Sequence, residues 1–139
     1  APARQLGATE VVNSKEVPDW ETAVRALTGG EGADHILELG GSETLPRSLK
    51  SVRLGGVISV IGALTGGAPS VSVIPILMQS LRVQGIYVGS RRMFENLNRA
   101  VSLHQIHPVI DRVFPWLEVQ AAMNYMSKQE HFGKICLQF

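Results

Sequence analysis

Glycines stand where three apolar runs of this sequence end. Gly40 and Gly41 follow the run HILEL, Gly62 follows VISVI, and Gly85 and Gly89 flank the run IYV. A residue without a side chain lets another group approach the backbone closely, so a flat ligand lying across these ends could contact main-chain amides. The same glycines could instead serve only to form turns. The spacing alone leaves both interpretations open.

The sequence offers no set of side chains for nucleophilic or metal chemistry. Cys136 is the only cysteine, which excludes an internal disulfide and, with no secretion signal visible, predicts a reducing, cytoplasmic location. Four histidines are scattered along the chain without metal-ligand spacing: His35, His104, His107 and His131. Glu38 ends an apolar run, where we expect a structural carboxylate rather than a catalytic base.

Composition indicates a globular protein without an electrostatic footprint for nucleic acid or anionic membrane. The chain has 139 residues, 45% of them hydrophobic and 18% charged, with a net charge of +1. The apolar run VSVIPILM is too short to span a membrane. We therefore expect neither nucleic acid nor membrane among the partners.

Short apolar runs alternate with amphipathic segments along the chain. Runs of strand length lie at residues 10–13, 35–39, 57–61, 83–88, 109–114 and 134–139. Asp19 is predicted to cap a helix that ends at Gly29, and Gly55 and Gly56 are predicted to end the next helix. The alternation predicts an α/β fold with a mainly parallel sheet, whose ligands bind at the carboxyl ends of the strands.

Several segments together resemble one enzyme family. The segments LGATEVVN, GGEGADHILELGGSETL, VRLGGVISVIG, IYVGSR, PVIDRVFP and HFGKICLQF, in this order, resemble medium-chain dehydrogenases/reductases, notably zinc-type alcohol dehydrogenases and their quinone oxidoreductase relatives. The resemblance covers essentially the whole chain and implies the later half of such an enzyme. Residues 1–88 would form a partial nucleotide-binding (Rossmann) domain that lacks its first two strands. Residues 89–139 would be the C-terminal segment that returns to the catalytic domain.

The resemblance also implies a cofactor site. The family transfers hydride between NAD or NADP and an alcohol, aldehyde or ketone, and three successive strand ends line the nicotinamide. The implied cofactor-binding residues are Leu39, Gly40, Gly41, Ile61, Gly62, Ala63, Ile86, Tyr87 and Val88, with Lys134 near the phosphates. Among them, Gly62, Ala63 and Val88 would neighbour the nicotinamide carboxamide. The resemblance assigns no catalytic residue and no metal ligand in this chain.

Some features of the family are not found in this sequence. The G-x-G-x-x-G phosphate turn, the zinc ligands and the proton-relay residues lie upstream in the family, so we expect this chain to be inactive alone. Zinc use in the complete enzyme stays open. An unpaired sheet edge predicts a homo-oligomer. Two alternatives remain: a non-catalytic nucleotide-binding or assembly module, and a zinc-independent quinone or enoyl reductase.

Overall fold

The protein is an α/β structure with parallel strands, as the sequence predicts. The computed structural model describes residues 2–66 and 70–139. Its helices are α1 (Pro2–Gln5), α2 (Trp20–Leu27), α3 (Leu45–Ser51), α4 (Ile74–Met78), α5 (Arg91–Leu103) and α6 (Val119–Ser127). Its strands are β1 (Ala33–Glu38), β2 (Val52–Val60), β3 (Arg82–Gly85), β4 (Ile110–Pro115) and β5 (Lys134–Gln138).

The chain divides into two compact units, residues 3–88 and residues 89–139. The assignment of residues 1–88 to a nucleotide-binding domain, and of 89–139 to a return segment, stays a prediction. Residue 1 and residues 67–69 of the first predicted segment lie outside the described residues. No helix in the described part of the chain is long and apolar enough to cross a membrane.

The first unit is built on a parallel sheet in the order β1-β2-β3. Its core is formed by Leu49 of α3, Val52 and Ile58 of β2, and Leu81 just before β3. Val52 and Ile58 are completely shielded from solvent. Helix α3 leads directly into β2, because Val52 is extended (φ −75°, ψ 147°) and caps the helix end.

Gly55 and Gly56 do not end a helix, contrary to the prediction. Both lie within β2, where the pairing moves from Ala33–Val52 to His35–Val57 and leaves extra β2 residues unpaired. Gly55 has a φ of +67°, which favours glycine at such a bulge. The glycines therefore allow the bulge in β2 and do not cap a helix.

Helix α2 forms as predicted, but its first residue is not capped as expected. The side chain of Asp19 makes no capping hydrogen bond, and its carboxylate lies 3.5 Å from the guanidinium of Arg47 in α3. At the other end, Gly29 and Gly30 have positive φ angles of 65° and 90°, as predicted. Arg25 of α2 also donates to the carbonyl oxygen of Lys50 (2.6 Å), which links α2 to the end of α3.

Other strand predictions require correction. Residues 10–13 do not form a strand, because they pair with no strand among the described residues and β1 remains the edge of its sheet. The strands of the first unit also end earlier than predicted, at Glu38, Val60 and Gly85. The segments that directly follow the strands therefore include residues that were predicted to be the last of each strand, namely Leu39, Ile61 and residues 86–88.

The second unit pairs β4 with β5 in parallel. Phe114 and Ala122 are its buried apolar residues. Asp111 accepts hydrogen bonds from the amide of Phe132 (3.0 Å) and from the hydroxyl of Tyr125 (2.8 Å). These two bonds lower the pKa of Asp111 below its ordinary value. The carboxylate thereby holds the turn before β5 against helix α6.

Candidate functional site

The carboxyl ends of the three strands of the first unit lie in one row. The pairing register joins Glu38 to Val60 and Val60 to Gly85. The amide of Ile86 continues the ladder by donating to the carbonyl oxygen of Val60 (2.9 Å). The segments that follow the strands therefore emerge side by side at one edge of the sheet. We call this edge the rim and define it as residues 39–41, 61–63 and 86–88.

The rim presents apolar side chains to solvent. Leu39, Ile61 and Ile86 follow directly after the row and are 53%, 44% and 48% exposed. Tyr87 and Val88 are more exposed still, at 90% and 80%. An exposed cluster of apolar and aromatic side chains at strand ends is suited to a flat, partly apolar ring.

The main-chain amides of the rim fall into two groups. Those of Gly40 and Gly41 donate to the carboxylate of Glu38 (2.8 and 3.1 Å), and that of Gly62 donates to the carbonyl oxygen of Glu38 (3.3 Å). By contrast, the amides of Leu39, Ala63, Tyr87 and Val88 have no acceptor among residues 2–66 and 70–139. Only the second group is available to a ligand, so the glycines themselves do not provide free donors.

Close packing of the main chain explains three of the rim glycines. A Cβ atom on Gly62 would lie 2.6 Å from the carbonyl oxygen of Leu39, and one on Gly41 would lie 2.8 Å from the Cα of Ala63. A Cβ on Gly40 would meet the side chain of Thr44. Gly41 and Gly62 let the segment after β1 pack against the segment after β2, whereas Gly40 makes room for Thr44 within its own segment. Their presence follows from this contact whether or not a ligand binds.

A buried carboxylate lies beneath the rim. Glu38 is only 3% exposed and accepts hydrogen bonds from the hydroxyls of Thr44 (2.5 Å) and Ser48 in addition to the amides of Gly40 and Gly41. Burial raises the pKa of Glu38, but these four hydrogen bonds outweigh it and leave the pKa below its ordinary value. Glu38 is thus a charged structural group, as the sequence suggests.

The sequence prediction missed the two hydroxyl partners of Glu38. Thr44 and Ser48 lie six and ten residues after the carboxylate. They fall where the chain leaves the strand and turns into α3. Hydroxyl side chains at a strand-to-helix turn behind a buried acid are the signal that could have found them, since a buried carboxylate requires donors.

The other sequence-predicted residues are not part of the rim. His35 pairs its Nε2 with the hydroxyl of Ser59 (2.8 Å), which is a packing role. Lys134 begins β5 in the second unit, and its amide donates to the carbonyl oxygen of Val109 (2.8 Å). Among the described residues, no group of three or more His, Cys, Asp or Glu could hold a metal ion.

An open depression of about 390 Å³ lies away from the rim, beside helix α2. Trp20, Val24 and Leu27 line it on the helix side and Val12 lines the other side. Its lining is mainly apolar and includes the residues that were predicted to form a strand. It brings no charged groups together, so we assign it no chemistry.

Comparison with known proteins gives consistent similarities. The sequence profile of a family described as zinc-binding dehydrogenase matches residues 1–102. The chain is 38% identical to a zinc-type alcohol dehydrogenase-like protein of Schizosaccharomyces pombe, over 97% of this chain and 40% of that protein. Among solved structures, a candidate alcohol dehydrogenase from Sinorhizobium meliloti 1021 is 45% identical with a TM-score of 0.86. An NAD-dependent alcohol dehydrogenase is 30% identical with a TM-score of 0.84.

The coverage of these matches is unequal. Both solved structures match 99% of this chain, but the matched part is 40% of each of their chains. The chain therefore spans about 40% of the length of the relatives it matches.

Proposed function

The chain belongs to the zinc-binding dehydrogenase family of oxidoreductases, and from this premise we propose that its rim lines the nicotinamide side of an NAD(P) site. The protein would transfer hydride between the nicotinamide and a small alcohol, aldehyde or ketone. One observation carries the proposal. Three strand ends in register bring exposed apolar side chains together with main-chain amides that have no acceptor among the described residues, including those of Ala63 and Val88.

The rim has the chemical groups that a nicotinamide requires. The ring is flat and partly apolar, so Leu39, Ile61 and Ile86 could pack against one of its faces. Its carboxamide needs hydrogen-bond donors, which the amides of Ala63 and Val88 could supply. When bound, the cofactor accepts or gives the hydride, while the protein supplies binding and orientation. The role that we propose for this chain is thus to orient the nicotinamide ring, so that one particular face of it is covered.

The described residues do not form a zinc site, since no group of three or more suitable ligands occurs among them. No step of the proposal is assigned to a metal. Lys134 as a phosphate ligand stays a prediction from the resemblance, because it belongs to the second unit.

A bulky side chain introduced at the rim, which would block cofactor binding there, tests the proposal. In the natural protein that contains this chain, we expect Ala63→Trp to raise the KM for NAD(P) about tenfold or more, equivalent to about 1.4 kcal/mol. Leu54→Trp is the matched control, because Leu54 is 68% exposed and lies near the opposite end of β2. Equal KM values for the two variants would contradict the rim as the site. A protein that binds no nicotinamide cofactor would instead favour the assembly-module alternative.

We also propose self-association through the free edge of β3. Within the described sheet β3 pairs only with β2, and all four of its residues are exposed. The adjacent helix α4 exposes Leu77 and Met78, each at 73%. Unpaired strand edges with nearby apolar surface readily pair with another chain. Sedimentation velocity that shows only monomer at high concentration would contradict this proposal.

A further inference from the structure

The buried carboxylate of Glu38 is the most unusual charged group in the first unit. Its hydrogen-bond donors are two amides and two hydroxyls, all between residues 40 and 48. No lysine, arginine or histidine of the described residues forms an ion pair with it. A buried charge that is balanced by hydrogen bonds alone requires all of its donors in fixed positions.

Two donors of Glu38 belong to the first segment of the rim, and the other two, Thr44 and Ser48, lie just before and within helix α3. Oε1 accepts from the amides of Gly40 and Gly41, so both peptide groups are fixed relative to the end of β1. Oε2 accepts from Ser48 in the middle of helix α3, which fixes the helix relative to the same strand. The carboxylate therefore sets the path of the chain from the strand through the rim to the helix.

The opposite side of this turn is held by the segment after β2. The carbonyl oxygen of Gly40 accepts from the amide of Thr65 (2.7 Å) and from its hydroxyl (2.9 Å). Gly41 then packs against Ala63, whose amide the proposed site uses. A shift of the Gly40–Gly41 peptide would consequently move Ala63 as well, because no free space separates them.

We propose that Glu38 is a positioning residue for the cofactor-binding rim, acting through the Gly40–Gly41 turn rather than by touching the cofactor. This inference rests on the proposed function. The carboxylate holds the turn from beneath and Thr65 holds it from the side. The apolar side chain of Leu39 and the amide of Ala63 are thereby kept in place before a ligand arrives, which lowers the ordering required on binding.

Two substitutions separate positioning from simple stabilisation. Glu38→Gln keeps an oxygen that can accept from the two glycine amides, whereas Glu38→Leu keeps only the volume. In the natural protein that contains this chain, we expect Glu38→Leu to raise the KM for NAD(P) tenfold or more, and Glu38→Gln to raise it threefold or less. Glu43→Gln is the control, because Glu43 is exposed and its carboxylate has no partner among the described residues.

The main-chain amides provide a second readout. We expect hydrogen exchange at Gly40 and Gly41 to accelerate at least tenfold in Glu38→Leu and to change little in Glu38→Gln and Glu43→Gln. If the leucine variant does not fold, Thr44→Val carries the test, since it removes one of the four donors at nearly constant volume. It should raise the cofactor KM about threefold, with kcat following only the fraction of folded protein.

The outcomes distinguish this inference from the proposed function. Wild-type protein that binds no nicotinamide cofactor overturns the proposed function and, with it, the role assigned to Glu38. Wild-type protein that binds the cofactor, while the folded Glu38→Leu or Thr44→Val variants keep the wild-type KM, overturns the positioning role alone. A glutamine variant as impaired as the leucine variant also overturns it, because glutamine retains the acceptor.

Discussion

Replacing Gly62 by alanine tests how closely the two rim segments pack. The added Cβ would lie 2.6 Å from the carbonyl oxygen of Leu39 and 3.4 Å from its Cα. These are main-chain atoms, so no side-chain rotation can relieve the contact. Gly62 does not have a positive φ, which leaves steric overlap as the cause of the expected loss. Overpacking of this kind costs about 1–3 kcal/mol.

Gly85 provides the matched comparison. It ends strand β3 of the same sheet and also lacks a positive φ, but a Cβ there would meet nothing within 4 Å. We expect Gly85→Ala to change the free energy of unfolding by no more than about 0.5 kcal/mol. The pair thus compares one chemical change in two local environments.

Urea unfolding of the chain in a Trp116→Phe background measures the difference. Trp20 then reports on the first unit alone, since Trp116 belongs to the second unit. With a denaturant slope of about 2 kcal/mol per molar, the Gly62→Ala midpoint should fall by about 1 M while the slope is unchanged. Equal midpoints for the Gly62 and Gly85 variants would refute the close packing of the rim segments.

Three further predictions concern stability. Leu49→Ala should lower the free energy of unfolding of the first unit by about 2–5 kcal/mol in urea, against little change for the exposed Leu54→Ala, because Leu49 is 2% exposed in the core. The lowered pKa of Glu38 means that the ionised carboxylate stabilises the fold. This contribution is complete above pH 4.5, the ordinary pKa of a glutamate, and is lost as the pH falls through the lower pKa of the folded state. In acid titration, the Glu38→Gln variant should not show this loss of stability. Ser90→Ala should destabilise helix α5 by about 1 kcal/mol, seen as faster exchange at the amide of Met93, which donates to Ser90.

The sequence predicts the fold well because its signals are local. Apolar runs and glycine positions mark the alternation of strands and helices, and Gly29 and Gly30 end α2 with positive φ angles as expected. The predictions that are wrong concern residues whose structure depends on contacts with distant parts of the chain. Residues 10–13 have the composition of a strand, but they do not join the sheet, which ends at β1 among the described residues. A glycine such as Gly55 is typical of a helix end, but α3 ends earlier, at Ser51, and Gly55 lies at the bulge in β2.

The details of the candidate site were harder to predict than the fold. The order of the strand ends could be expected from a parallel sheet, and the register now joins them in one row. Which amides are already bonded depends on how side chains are oriented in the fold, such as the carboxylate of Glu38, which turns back to the amides two and three residues later. No local pattern reveals that Gly40 and Gly41 donate inward. The sequence therefore indicates where a ligand could lie but not which groups could bind it.

The two explanations for the rim glycines are parts of one arrangement. Gly41 and Gly62 lack side chains because the neighbouring main chain occupies that space, and the amides of Gly40 and Gly41 are bonded inward to Glu38. Inward bonding makes the first segment rigid, and close packing transmits that rigidity to Ala63. The amides of Ala63 and Val88 remain without an acceptor among the described residues. A ligand would thus bind the outer amides of an edge whose inner amides hold its shape, so the glycines contribute to binding by packing rather than by contact.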